Sequence, residues 1–84
     1  MYKIIYAKSV KKDLKNIPTI DLLKIKSRIE KLQDFPNITN IKQLTSHSLA
    51  DFRLRVGKYR ILFDVDLKEE EISILKISHR KDAY

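Results

Sequence analysis

Apolar and polar residues alternate along two neighbouring stretches of the chain, residues 52–56 and 59–65, and this pattern predicts two β-strands. Gly57 and Lys58 lie between the two stretches. A two-residue loop with glycine first favours a type II′ turn, because that position needs a positive φ. The sequence therefore predicts a tight β-hairpin whose register is fixed by its turn.

The predicted register separates basic and apolar side chains onto opposite faces of the hairpin. Arg55 faces Arg60 across the strand pair, and Arg53 shares their face. We expect the other face to pack on helices and the arginine face to point away from them. The helix-facing positions are Phe52, Leu54, Val56, Tyr59, Ile61 and Phe63.

The first half of the chain predicts one strand and two helices. Residues 2–7 are aromatic and β-branched, which is typical of a strand. Ser9 is expected to cap a short helix, which Pro18 ends. A second helix is predicted from residue 19 or 21 to about residue 34, because its apolar positions recur every three or four residues.

The remaining segments complete an α+β fold. A short strand is predicted at residues 41–44, followed by a serine-rich loop, and a longer strand at residues 72–78 follows an acidic turn. The predicted architecture is an N-terminal strand, two helices and an antiparallel β-meander, which form a twisted sheet with the helices packed on one face. Because 84 residues support one modest core, we expect a single domain over residues 1–84.

Composition excludes several classes of function. The chain has no cysteine, and its two histidines, His47 and His79, are isolated, so we expect neither a disulfide framework nor a metal site or other cofactor. No stretch is apolar enough for a signal peptide or a membrane span. We therefore expect a soluble, complete, cytoplasmic protein.

Positive charge is the strongest compositional signal, and it is unevenly distributed. The net charge of +7 indicates a polyanionic partner such as nucleic acid. Lysine provides most of the charge in the first half of the chain. Four of the five arginines lie in the second half instead, at positions 53, 55, 60 and 80.

Two interpretations of the hairpin arginines are open. Like charges directly across a strand pair destabilise it, and a bound anion would offset that effect. Arginine suits a phosphate because its planar guanidinium makes two parallel hydrogen bonds to phosphate oxygens. Alternatively, Asp51, Asp64 and the glutamates at residues 69–71 neutralise an ordinary solvated surface.

The C-terminal residues "SHRKDAY" add chemistry that arginine lacks. An antiparallel meander can bring this segment beside the hairpin, together with Arg80 and Lys81. Histidine and tyrosine can transfer protons, so His79 and Tyr84 are candidates for acid–base roles. Each also has a structural interpretation, His79 as a polar residue at a strand end and Tyr84 as a frayed terminus.

The segment "FRLRVGKYRILFDVD", followed by an apolar strand and "HRKDAY", resembles the RelE/ParE family of type II toxin–antitoxin toxins, and the ending is similar to the RelE branch. The resemblance covers nearly the whole chain. It implies a RelE-like fold and a ribosome-dependent messenger-RNA endonuclease that needs no metal. It further implies attack of a ribose 2′-hydroxyl on the adjacent phosphate, and a cognate antitoxin that neutralises the toxin.

Carried over by position, the resemblance assigns roles to individual residues. The arginines would bind the phosphate and stabilise transition-state charge, and Tyr84 would transfer a proton or stack on the substrate base. Lys58 and Lys81 are expected to contact RNA. The expected catalytic set is Arg53, Arg55, Arg60, Arg80 and Tyr84, together with His79, which stands where other members of the family carry different residues and is added because histidine can act as an acid or a base.

Two other functions remain open at this point. ParE-like members share the hairpin and inhibit DNA gyrase without RNA chemistry. A non-catalytic nucleic-acid-binding module would also use the same fold and charge, because a fold by itself does not fix a function.

Overall fold

The computed structural model describes residues 1–45 and 49–81, and within them the predicted order of elements is confirmed. Neither helix in this part of the chain is long and apolar enough to cross a membrane. The elements are β1 (Lys3–Tyr6), α1 (Lys8–Lys15), α2 (Thr19–Glu30), a 3₁₀ turn (Lys31–Asp34), β2 (Ile41–Gln43), β3 (Phe52–Val56), β4 (Tyr59–Asp66) and β5 (Glu71–His79).

The five strands form one mixed sheet in the order β1-β5-β4-β3-β2. Strands β2 to β5 pair antiparallel, as the sequence predicted for the meander. Strand β1 pairs parallel with β5, with Ile4 opposite Ile72. A parallel pair needs a long connection, which here is the whole chain between the two strands. The sheet is therefore mixed, although its local hairpins are antiparallel.

Both helices pack on one face of the sheet and enclose the core. Helix α1 contributes Val10, and α2 contributes Ile25 and Ile29, all fully buried. The rings of Phe52 and Phe63 stack at 5.5 Å between centroids within the same cluster. Burial of such apolar surface is the main favourable contribution to folding.

The hairpin has the predicted register. Val56 pairs with Tyr59 and Arg55 with Arg60, on either side of the two-residue turn. Gly57 has φ +56°, and Lys58 is not among the residues with positive φ. One positive φ at the first turn position is the signature of a type II′ turn, and it explains the glycine there.

A β-bulge in β5 explains how α1 attaches to the sheet. Leu62 pairs with Lys76 but Phe63 pairs with Ile74, so Leu75 is an extra residue. Side chains of α1 bond the backbone around it: Ser9 Oγ donates to the carbonyl oxygen of Leu75 at 3.2 Å, and the N–H of Ile77 donates to Asp13 Oδ2 at 3.1 Å. The expected role of Ser9 as a helix cap was wrong, because the N-cap is Ala7.

Candidate functional site

A cavity of about 180 Å³ lies at the hairpin tip, on the side of the sheet away from the helices. It brings together the end of β3, the turn, the start of β4 and the residue after β5. The lining residues are Arg55, Gly57, Lys58, Tyr59, Arg60 and Arg80.

Backbone pairing positions the three arginines. Arg55 and Arg60 are direct cross-strand partners, and Arg60 lies opposite Ser78 on its other side. The N–H of Arg80 donates to the carbonyl oxygen of Lys58 at 2.7 Å. This bond continues the β4–β5 ladder beyond β5 and holds the backbone of Arg80 against the turn. The expected return of this segment to the hairpin is therefore observed for Arg80.

The charges around the cavity are all positive. Three arginines and Lys58 line the cavity, and none of its described lining residues is acidic. Arg55 and Arg80 are exposed, and neither forms a salt bridge with a carboxylate in residues 1–45 and 49–81. Like charges held this close favour an anion bound between them.

Two of the acidic residues expected to neutralise the arginines, Asp64 and Glu70, make other contacts. Asp64 Oδ1 accepts a hydrogen bond from the N–H of Asp51 at 2.7 Å, four residues along β4 from Arg60. Glu70 Oε2 lies 3.6 Å from the N-terminal ammonium. The geometry thus favours the anion-binding interpretation for the arginines at the hairpin tip.

Arg53 lies on the same face but outside the cavity. Its cross-strand neighbours are Lys42 and Leu62. Leu62 is only 1% exposed although it faces away from the helices, and we attribute this burial to the aliphatic stems of the long side chains around it. The Arg53 Nε atom is buried and has no hydrogen-bond partner in the described part of the chain. Arg53 therefore has a packing role that the sequence did not indicate.

His79 lies on the opposite face of the sheet from the arginines. It pairs with Tyr59, and the two rings meet edge to face at 5.3 Å between centroids. A cavity of about 230 Å³ on the helix side is lined by His79 together with Asp13 and Ile17. The expectation that His79 joins the arginine cluster was therefore wrong, because alternation along β5 turns its side chain to the helices.

Four further residues singled out in the sequence have different outcomes. Lys58 lines the cavity, whereas Lys81 is exposed next to Arg80 and does not line it. Tyr84 and His47 lie outside the described residues.

Tyr59 is a site residue that sequence reasoning placed only in the core. Tyr59 lines the arginine cavity as well as the His79 cavity. Its hydroxyl donates to Asp21 Oδ2 at the start of α2, at 3.1 Å. Burial raises the pKa of Tyr59, and the hydrogen bond and negative charge of Asp21 raise it further. The sequence signal that could have identified Tyr59 as a site residue was its position directly after the hairpin turn.

A larger cavity elsewhere is a weaker candidate. It has a volume of about 410 Å³ beside α2 and contains Arg28 and Lys31 together with Asp34. Because opposite charges line it, it lacks the uniform positive field of the hairpin cavity. Size alone therefore does not identify the functional site.

Chemically, the hairpin cavity is suited to holding an anion and stabilising charge that develops on it. Arginine has donors only and cannot act as a base. Tyr59 is kept protonated by its raised pKa and its bond to Asp21. The described lining thus provides electrostatic stabilisation. A group that transfers protons must come from the substrate, the partner or another residue.

Comparison with known sequences gives a consistent family. Residues 4–84 match the family model described as the ParE toxin of the type II toxin–antitoxin system, parDE. A protein of Methanocaldococcus jannaschii assigned to the RelE toxins as RelE1 is 39% identical over 80 residues. That match covers 92% of this chain and 88% of the relative.

Solved structures that resemble this chain also come from RelE-type toxin–antitoxin complexes. The toxin–antitoxin complex RelBE2 of Mycobacterium tuberculosis contains a chain that matches with a TM-score of 0.82 and 25% identity, over 94% of this chain and 98% of that one. The RelB–RelE antitoxin–toxin complex of Methanococcus jannaschii matches with a TM-score of 0.75 and 32% identity, over 92% and 91% of the two chains.

Proposed function

The chain belongs to the RelE/ParE family of type II toxin–antitoxin toxins, on its RelE branch, and we propose that it cuts messenger RNA on the ribosome. The observation that supports this activity is the cavity where Arg55, Arg60 and Arg80 converge without a carboxylate among the described lining residues. Such a toxin acts in the cytoplasm, where its ribosomal target lies.

The proposed reaction is an internal transfer at one phosphodiester. The ribose 2′-oxygen attacks the adjacent phosphorus and loses its proton, and the bond from phosphorus to the 5′-oxygen breaks. The 5′-oxygen gains a proton, so the products are a 2′,3′-cyclic phosphate and a 5′-hydroxyl. No metal or external reactant is required, and the balance of atoms and protons is complete.

The arginines carry the electrostatic part of this proposal. Negative charge builds up on the non-bridging oxygens as the phosphorus becomes five-coordinate, and fixed guanidinium groups stabilise that charge. Arg55, Arg60 and Arg80 are assigned to this task because they line one cavity. Arg53 and the lysines at positions 58 and 81 are assigned to neighbouring RNA phosphates, as a salt-sensitive surface.

Proton transfer is assigned to Tyr84, which stays a prediction carried by the resemblance. The position of His79 on the helix side of the sheet supports giving it a different role. The ribosome also offers groups that could take part. An activity that persists in a Tyr84→Phe variant would assign proton transfer to one of those groups.

The partner proposed for this chain is a cognate antitoxin. The similar chains from M. tuberculosis and M. jannaschii were solved as toxin–antitoxin complexes. A protein with this activity would stop the growth of its host unless neutralised. A short acidic reading frame next to the gene would support this partnership, since the toxin carries a net charge of +7.

The decisive experiment incubates the purified protein with ribosomes that carry a defined messenger, followed by mapping of the cut sites. We expect cuts within the codon of the ribosomal A site, and a loss of about 100-fold or more in rate for Arg60→Ala or Arg80→Ala. Lys68→Ala is the matched control, because Lys68 is an exposed cation in the turn that follows β4, away from the hairpin tip. Equal losses in all three variants would indicate a general charge effect instead.

A second candidate function is inhibition of DNA gyrase, which the ParE description of the matching family model favours. Expression in cells separates the two. Arrest of translation supports the nuclease, whereas arrest of DNA replication with translation spared supports the gyrase inhibitor. Tight RNA binding without cleavage on programmed ribosomes would support a non-catalytic binding module.

A further inference from the structure

The turn that follows β5 is held by one hydrogen bond on each side of Arg80. The N–H of Arg80 donates to the carbonyl oxygen of Lys58 at 2.7 Å. The next N–H, of Lys81, donates to Nδ1 of His79 at 3.1 Å. Through these two bonds the backbone on both sides of the Arg80 side chain is fixed.

The imidazole that accepts the second bond is itself fixed by the helix layer. The His79 ring meets the Tyr59 ring edge to face at an interplanar angle of 86°. The Tyr59 hydroxyl is bonded to Asp21 of α2. The imidazole also borders a cavity lined by Asp13 and Ile17. The His79 ring is therefore oriented by contacts on the helix side of the sheet.

We propose that His79 is a positioning residue that directs the Arg80 guanidinium into the anion-binding cavity. Arg80 is the only cavity arginine supplied from outside the hairpin among the described residues, so cross-strand pairing within the hairpin cannot fix it. His79 and Arg80 point to opposite faces, and the bond from the Lys81 N–H to His79 closes the turn between them. The inference rests on the proposed function only for the identity of the anion, an RNA phosphate.

The proposal depends on an acceptor at one defined place in the side chain. Asparagine carries an oxygen at the same distance from the backbone as Nδ1 of histidine, and so preserves the acceptor for the Lys81 N–H. Glutamine is one carbon longer and places its oxygen elsewhere. His79→Asn and His79→Gln are therefore a matched pair that separates the acceptor from general polarity and packing.

The test measures anion binding by the free, full-length protein and needs no ribosome. Inorganic sulfate is the probe, because it stays doubly charged over the neutral pH range. Its dissociation constant is obtained by NMR titration, observed at the arginine Nε–H groups. Arg80→Ala is expected to weaken sulfate binding about ten-fold, the loss of one charge-assisted contact.

Among the His79 variants, we expect His79→Gln to weaken sulfate binding by about three- to ten-fold and His79→Asn by less than about two-fold. Exchange of the Lys81 amide hydrogen should become faster in His79→Gln alone. Equal sulfate affinity in wild type and both His79 variants would overturn the proposal. So would equal losses in His79→Asn and His79→Gln, which would indicate a packing role, or the absence of sulfate binding by the wild-type protein.

The ribosome assay then distinguishes this proposal from the proposed function. If sulfate binding follows the expected order but programmed ribosomes are not cut, the positioning role stands and the nuclease proposal fails. If ribosomes are cut and the sulfate affinities of the variants are equal, the nuclease proposal stands and the positioning role fails.

Discussion

The two faces of the β3–β4 hairpin use alternate residues of the same strands for opposite purposes. The face toward the helices carries Leu54, Ile61 and Phe63, all nearly or fully buried. The other face carries Arg55 and Arg60 as direct partners, in a pairing that repels. The comparison indicates that the first face supplies stability and the second face gives up some stability for an anion site.

The two faces also differ in the groups that contact them. The apolar face is completed within the chain, by Val10 of α1 and Ile29 of α2 in the same core cluster. The arginine cavity has no carboxylate among its described lining residues. We infer that an external anion completes the second face. Substitutions on the two faces should therefore change different measured quantities.

The largest expected effect is on the apolar face. Phe63→Ala should lower the free energy of unfolding by about 3–5 kcal/mol, because it leaves a cavity in a fully packed site. Phe63 is fully buried and stacks on Phe52. Urea denaturation measures the change, and Leu67→Ala, at a residue that is 71% exposed, is the control. A loss below about 1 kcal/mol for Phe63→Ala would contradict the assignment of stability to this face.

The next effect concerns the attachment of α1 to the β5 bulge. Asp13→Ala should lower the free energy of unfolding by about 1–3 kcal/mol, because the Ile77 N–H loses its acceptor in a partly buried position. Asp13→Asn keeps an oxygen at the same place and is expected to retain most of the stability. Similar losses in the two variants would assign the effect to the charge of Asp13 instead.

A smaller effect joins the hairpin to α2. Tyr59→Phe should cost about 0.5–1.5 kcal/mol of unfolding free energy at neutral pH, through loss of the bond to Asp21. Burial raises the pKa of Tyr59 in the folded protein, and so does Asp21. The folded state therefore holds this proton more tightly than the unfolded state does. The resulting stabilisation is complete below the unfolded pKa and is lost as pH rises through the folded pKa.

Unfolding measured between neutral and strongly alkaline pH tests this linkage. Tyr59→Phe should lose stability less steeply at high pH than wild type does. The comparison should be repeated in a Tyr6→Phe background, because burial and then the charge of Glu30 also raise the pKa of Tyr6. Identical alkaline profiles for wild type and Tyr59→Phe would contradict the linkage.

The smallest effect has the opposite sign and lies on the arginine face. Arg55→Ala should raise the free energy of unfolding by about 0.2–1 kcal/mol at low salt, because it removes the repulsion with Arg60. Arg55→Lys keeps the charge and should show little gain. The gain should shrink as salt is added, since the two groups are partly solvated. A loss of stability in Arg55→Ala would mean that this face also stabilises the fold.

Local patterns in the sequence were enough for much of the fold. The hairpin strands, their register and the turn type follow from alternation and from Gly57, because these depend on neighbouring residues. The same alternation placed Arg55 and Arg60 together. It did not predict that Leu62 would be buried on the arginine face, since that depends on side chains from the adjacent strands.

The sequence by itself thus determined the order of elements, the hairpin and the two faces of its strands, because each depends on short-range periodicity. Only the tertiary structure decided the parallel place of β1, the bonds from Ser9 and Asp13 to the β5 bulge, and the separation of His79 from Arg80. These features join residues far apart in the chain, and their geometry is set by how the helices and strands pack together. The arginine cavity also depends on the tertiary structure, because it forms only when β5 returns beside the hairpin turn.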